Sequence, residues 1–127
     1  MKVFIADGSN VGLRRLLALV GDAKEFELVG YSAEATAALV SIRTVRPDLV
    51  ILDLALKGNG GLRVLKAIKQ EMPETFFIVL TNAPSAQYRA FCSDLGVEFF
   101  FDKTTEFQKI PGAVSSLAAQ LDARRSS

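Results

Sequence analysis

Four residues spread along this chain are of types that could together hold a phosphoryl group and a cation: Asp7, Asp53, Thr81 and Lys103. Each closes a short apolar run: VFIA runs into Asp7, LVIL into Asp53, FFIVL into Thr81 and EFFFD into Lys103. Carboxylates suit a hard cation or act as phosphoryl nucleophiles, a hydroxyl donates to an oxyanion, and an ammonium is a point charge for phosphate. The set is useful only if the fold gathers it. Short runs of β-branched and large apolar residues bounded by polar stretches read as buried strands, with helices between them. Strands alternating with helices build a parallel sheet whose carboxyl ends share one edge, and there the four residues meet.

Five strand–helix pairs are predicted, with strands near 2–6, 26–31, 48–53, 76–81 and 97–101. Ser9 or Asn10 caps the first helix, which lines up Leu13, Leu16, Leu17 and Val20 on one face. The second follows Ser32, carries Ala35, Leu39 and Ile42, and must end before Pro47. The third runs from about Gly61 through Leu62, Leu65, Ile68 and Met72 until Pro73 stops it. The fourth follows Ser85, aligns Tyr88, Cys92 and Leu95, and stops at Gly96. The last carries Phe107, Ile110, Val114, Leu117 and Leu121, with Pro111 delaying its start. The third strand, Asp48-Leu49-Val50-Ile51-Leu52, alternates least, as a central strand covered on both faces should.

With 127 residues, half of them hydrophobic, the chain fits one domain with a substantial core. A net charge of +1 offers no bulk attraction for nucleic acid. The strand-like start leads to the expectation of no signal peptide, and no apolar stretch reaches the roughly 18 residues of a membrane span. A single cysteine precludes an internal disulfide and fits a reducing cytoplasm. Histidine is absent, which removes Ser–His–Asp and Cys–His nucleophiles and histidine metal sites. Gly58-Asn59-Gly60-Gly61 lacks the GxxxxGK[ST] phosphate-loop pattern, and Asp53-Leu54-Ala55 lacks the second aspartate of an aspartyl-phosphate hydrolase. Cys92 reads as a small core residue, and Arg124 and Arg125 as helix C-terminal charges in a short tail at about 122–127.

The segments KVFIADGSN, RPDLVILDLALKGNGGLRVLKAIK, FFIVLTNAPSAQYR and GVEFFFDKTTEF make the chain resemble a bacterial two-component response-regulator receiver domain over essentially its full length. The resemblance implies a flavodoxin-like (βα)5 three-layer α/β sandwich with parallel strand order 2-1-3-4-5. It makes Asp53 the acceptor of a phosphoryl group from a histidine kinase or histidine phosphotransfer protein. Mg²⁺ would be held by Asp7, Asp53 and the backbone carbonyl of Ala55. Lys103 would pair with phosphoryl oxygens, Thr81 would move to bond them, and Phe100 would be the switch aromatic, able only to pack. Ala55, Asn82 and Ala83 would govern access of water to the phosphoryl group, and their small size at 55 and 83 implies a short-lived phosphoform.

The chain departs from the family pattern at several positions. Gly8 stands where the family has its second acid, the one that touches metal directly; Lys57 is near the usual proline, and Gly60 where an acid is common. Losing a carboxylate should weaken Mg²⁺ binding. Two compensations are open: Asp7 shifts inward because Gly8 permits unusual backbone angles, or Asn10 offers an oxygen. The rival reading is a pseudo-receiver, a binding module with this fold but no phosphorylation. Because the chain ends just after the fifth helix, the expectation is a stand-alone, non-enzymatic cytoplasmic switch. It would act through protein contacts, without nucleic acid or membrane, as a monomer or a phosphorylation-dependent dimer. By resemblance, the output face is helix four, strand five and helix five.

Overall fold

The computed structural model describes residues 1–57 and 60–126. Five strands, β1 (Lys2–Ala6), β2 (Glu27–Ser32), β3 (Leu49–Asp53), β4 (Phe76–Thr81) and β5 (Phe99–Asp102), alternate with α1 (Asn10–Val20), α2 (Ala35–Val45), α3 (Gly61–Glu71), α4 (Ala86–Asp94) and α5 (Ile110–Ser126). They form one parallel sheet in the order β2-β1-β3-β4-β5. This is the flavodoxin-like arrangement, with the order reversing at β1.

Side-chain alternation divides the core in two. Val3, Ile5, Ile51 and Ile78 pack beneath α1 and α5 with Leu16, Val114 and Leu117. Phe4, Val50, Leu52 and Phe77 pack beneath α2 and α3 with Ile42, Val64, Leu65 and Ile68. Every residue of β3 and β4 is buried, so neither strand alternates in sequence even though its side chains alternate between layers. Cys92 is fully buried, as the core reading requires.

Local chemistry sets the ends. The Ser9 hydroxyl accepts from Gly12 N and caps α1, and Ser85 does the same for α4 through Tyr88 N. For α2 the cap is Glu34, two residues past the end of β2 at Ser32, and its carboxylate accepts from Thr36 N and Ala37 N. Strand β5 begins two residues later than expected because α4 closes through Gly96, at φ +84°, and Val97 N donates to Cys92 O. The last helix does start late, at Ile110: Phe107–Lys109 form a short 3-10 turn before it, and Pro111 is the second residue of α5, where a missing N–H costs nothing. No free tail is seen at 122–126: α5 continues to Ser126, Arg124 donates to Glu74 O, and Arg125 pairs with Asp48 at 3.2 Å. Tyr88, expected on the inner face of α4, is exposed, and Cys92 makes that helix's buried contact.

Candidate functional site

The carboxyl edge gathers the expected residues. Asp53 ends β3, Thr81 ends β4, and Asp7 and Lys103 immediately follow β1 and β5. The strands hold them at the edge through backbone bonds, Asp7 N to Ser32 O at 3.1 Å and Lys103 N to Thr81 O at 2.8 Å. All four are buried, none more than 7% exposed.

The Lys103 ammonium lies 3.0 Å from Asp7 Oδ2 and 2.6 Å from Asp53 Oδ2. The other carboxylate oxygens accept from backbone: Asp7 Oδ1 from Ser9 N and Asp53 Oδ1 from Ala55 N, each at 2.9 Å. Burial by itself would lower the Lys103 pKa, but hydrogen bonds and charge from Asp53 and Asp7 outweigh it and hold the ammonium above its ordinary 10.5. Thr81 Oγ1 accepts from Ala83 N at 3.1 Å.

A shallow cleft of about 410 Å³ opens above this group, lined by Gly8, Gly12, Arg15, Asp53, Lys57 and Lys103 among others, including Ala55 and Asn82. Ala83 and Phe100 do not line it. Phe100 is half-buried on the far side of β5, where the Arg89 guanidinium lies 4.6 Å from its ring centroid and donates to its carbonyl. Gly58 and Asn59 of the glycine-rich loop lie outside the described residues.

One site residue left no mark in the motif reading: Gly12, buried in the first turn of α1. A Cβ there would collide with the Asp7 carboxylate, with Cγ at 2.8 Å and Oδ1 at 2.9 Å and Oδ2 nearer still. Its signal was a glycine inside an otherwise helix-favouring run, which often marks a close approach.

Neither compensation for Gly8 is adopted. Asp7 is held by Ser9 N and Lys103 beneath Gly12, and Gly8 takes no left-handed backbone angle. Asn10 Oδ1 is occupied by the Tyr31 hydroxyl at 3.1 Å. Among the described residues, no three acidic, histidine or cysteine side chains form a metal-holding cluster. Two carboxylates do fit Mg²⁺, which retains several waters, and the Ala55 carbonyl oxygen lies 3.6 Å from where a Gly8 Cβ would be, facing the same space.

The chain is thus a doubly wound parallel α/β domain with two buried aspartates bridged by a lysine at the carboxyl edge of its sheet. Residues 3–115 match the response regulator receiver domain model, and the chain belongs to that family. It is 30% identical over 110 residues to the uncharacterized transcriptional regulatory protein YhcZ of Bacillus subtilis, covering 87% of this chain and 51% of YhcZ. It is 25% identical to the DNA-binding transcriptional activator DevR/DosR of Mycobacterium tuberculosis, covering 94% of this chain and 55% of that protein. The isolated REC domain of RcsB from Salmonella enterica, in the presence of phosphomimetic BeF3⁻, superposes with TM-score 0.85 at 25% identity, covering 92% and 87% of the two chains. The response regulator domain of Thermotoga maritima CheB shares the fold, with TM-score 0.79 at 18% identity and 94% of each chain covered. The chain spans about half the length of the curated relatives it matches. Those relatives are named as regulators rather than enzymes, and one as DNA-binding, so the expectation of no nucleic-acid contact gains no support from them.

Proposed function

We propose that this receiver domain is a phosphorylation-dependent switch in which Asp53 accepts a phosphoryl group from a histidine kinase or histidine phosphotransfer protein. The observation that carries the reading is the buried bridge from Lys103 to Asp7 and Asp53, which places a cation 2.6 Å from the acceptor oxygen. An Asp53 oxygen forms the new P–O bond as the donor's P–N bond breaks, and the electron pair of that bond returns to the imidazole nitrogen. Such transfer rests on positioning and on neutralising the equatorial oxygens, and Lys103 serves both. Mg²⁺, held by Asp7, Asp53 and the Ala55 carbonyl, would supply further charge neutralisation when bound.

Thr81 is poised to respond. Turning its hydroxyl to a phosphoryl oxygen gives up the bond from Ala83 N and so loosens the β4–α4 loop, while Phe100 and Arg89 couple β5 to α4 by packing. Ala55, Asn82 and Ala83 are all exposed, which leaves water free to reach the phosphoryl group and shortens the life of the phosphoform. Output passes through protein contacts on the α4–β5–α5 face, in a cytoplasmic setting. Among the described residues, no helix is long and apolar enough to cross a membrane.

The absence of a third acid among the described residues favours a second reading, a pseudo-receiver that works by binding alone. Labelling with a small-molecule phosphoryl donor at millimolar Mg²⁺ separates the two. Uptake lost in Asp53→Asn supports the switch; a native protein that takes up nothing leaves the pseudo-receiver.

A further inference from the structure

We propose that Lys57 is a second phosphoryl-binding cation, set beside Gly8, so that the cleft takes up a phosphoryl-like anion with little dependence on a divalent metal. The inference rests on Asp53 being the acceptor and names how charge at that site is neutralised.

Gly8 and Lys57 are far apart in sequence but touch in space. A Cβ at Gly8 would lie 3.6 Å from Lys57 Cγ and 3.7 Å from Lys57 N, so the lysine stem flanks the position that lacks an acid. The stem is fixed at its root: Lys57 O accepts from Ala35 N at 3.1 Å, and Lys57 forms an isolated parallel bridge with Glu34. Glu34 does not pair with it, because both its carboxylate oxygens accept from α2 backbone amides. Among the described residues no carboxylate pairs with Lys57, so its charge is available to the cleft.

The charge balance points the same way. Three bases line the cleft, Arg15, Lys57 and Lys103, against one acid, Asp53, with Asp7 buried beneath. The Arg15 guanidinium is drawn partly aside, over the Phe107 ring at 4.2 Å. Lys57 flanks the Gly8 position that lacks an acid, so part of the charge neutralisation a divalent cation would supply falls to this lysine. An anion on Asp53 meets Lys103, Lys57 lines the same cleft beside Gly8, and ammonium groups are compact charges suited to phosphate.

The test is uptake of BeF3⁻, followed by the backbone amide signals of Ala83 and Lys103, in metal-free buffer and in millimolar Mg²⁺. The native protein should bind without metal, with Mg²⁺ tightening binding by less than about threefold, and Lys57→Met should weaken metal-free binding about tenfold. Gly8→Asp should make binding strongly Mg²⁺-dependent. Native binding that requires Mg²⁺ and is unchanged in Lys57→Met overturns the role of Lys57 alone. No binding by the native protein under any condition, or equal binding by Asp53→Asn, overturns the acceptor reading itself.

Discussion

At the scale of single residues, two glycines decide how the acids are arranged, and for opposite reasons. Gly12 is required by a close approach, since the Asp7 carboxylate occupies the space of its missing side chain. Gly12→Ala should push Asp7 off Lys103, cost about 1–3 kcal/mol as an overpacked site, and weaken Mg²⁺ binding, read by urea unfolding and by metal titration. Gly8 is instead free to change, because a Cβ there meets only ordinary contacts. Gly8→Asp should tighten Mg²⁺ while slightly destabilising the metal-free protein, since three carboxylates would then repel one another. A metal-free melting temperature that rises would count against that account. Lys103 adds a pH dependence. Its folded pKa lies above the unfolded 10.5, so its contribution is fully present below pH 10.5 and lost as pH rises through the folded value. Lys103→Met should flatten that alkaline loss in unfolding measured above pH 10 or so.

At the scale of elements, the opposite edge of the sheet carries a second buried lysine with a different task. Lys69 of α3 is 8% exposed, donates to Thr75 O at 2.7 Å and lies 3.3 Å from the Glu98 carboxylate. Glu98 also accepts from Phe77 N at 2.8 Å, so one ion pair ties the end of α3 to the entries of β4 and β5. Lys69→Met should cost about 2–3 kcal/mol by stranding the Thr75 carbonyl and half-stranding Glu98. Phosphoryl uptake per folded molecule should stay unchanged, because the pair sits far from the acceptor edge. Loss of uptake without loss of stability would contradict this division between scaffold and site.

For the molecule as a whole, α4 turns an unusual surface outward. Tyr88 and Phe91 are about two-fifths exposed, on the helix whose Arg89 packs over the half-buried Phe100 of β5. If the phosphoryl group moves Thr81 and the β4–α4 loop, this face should change its affinity for a second copy or a target. Size exclusion with and without BeF3⁻, repeated on Phe91→Asp, reads the effect: the native protein should shift and the variant should not. An identical profile for the native protein in both states would remove this face from the output.

The elements and the four edge residues were legible in sequence because burial on both faces of a parallel sheet writes unbroken apolar runs, and each run stops where the strand reaches the buried polar cluster at the carboxyl edge. The position of a terminal residue such as Asp53 or Lys103 follows from chain order alone. Capping by Ser9 and Ser85 was equally local and so equally visible. What lay beyond reach involved contacts between segments. That Glu34 caps α2 depends on β2 running on through Ser32 in register with β1. That Gly12 makes room for Asp7 depends on how α1 lies over β1. That Asn10 is spent on Tyr31, and that Gly8 adjoins Lys57, depends on loops from different strands converging at one edge. Sequence spacing carries no information about such meetings. They are set by sheet order and close packing, which only the tertiary structure decides.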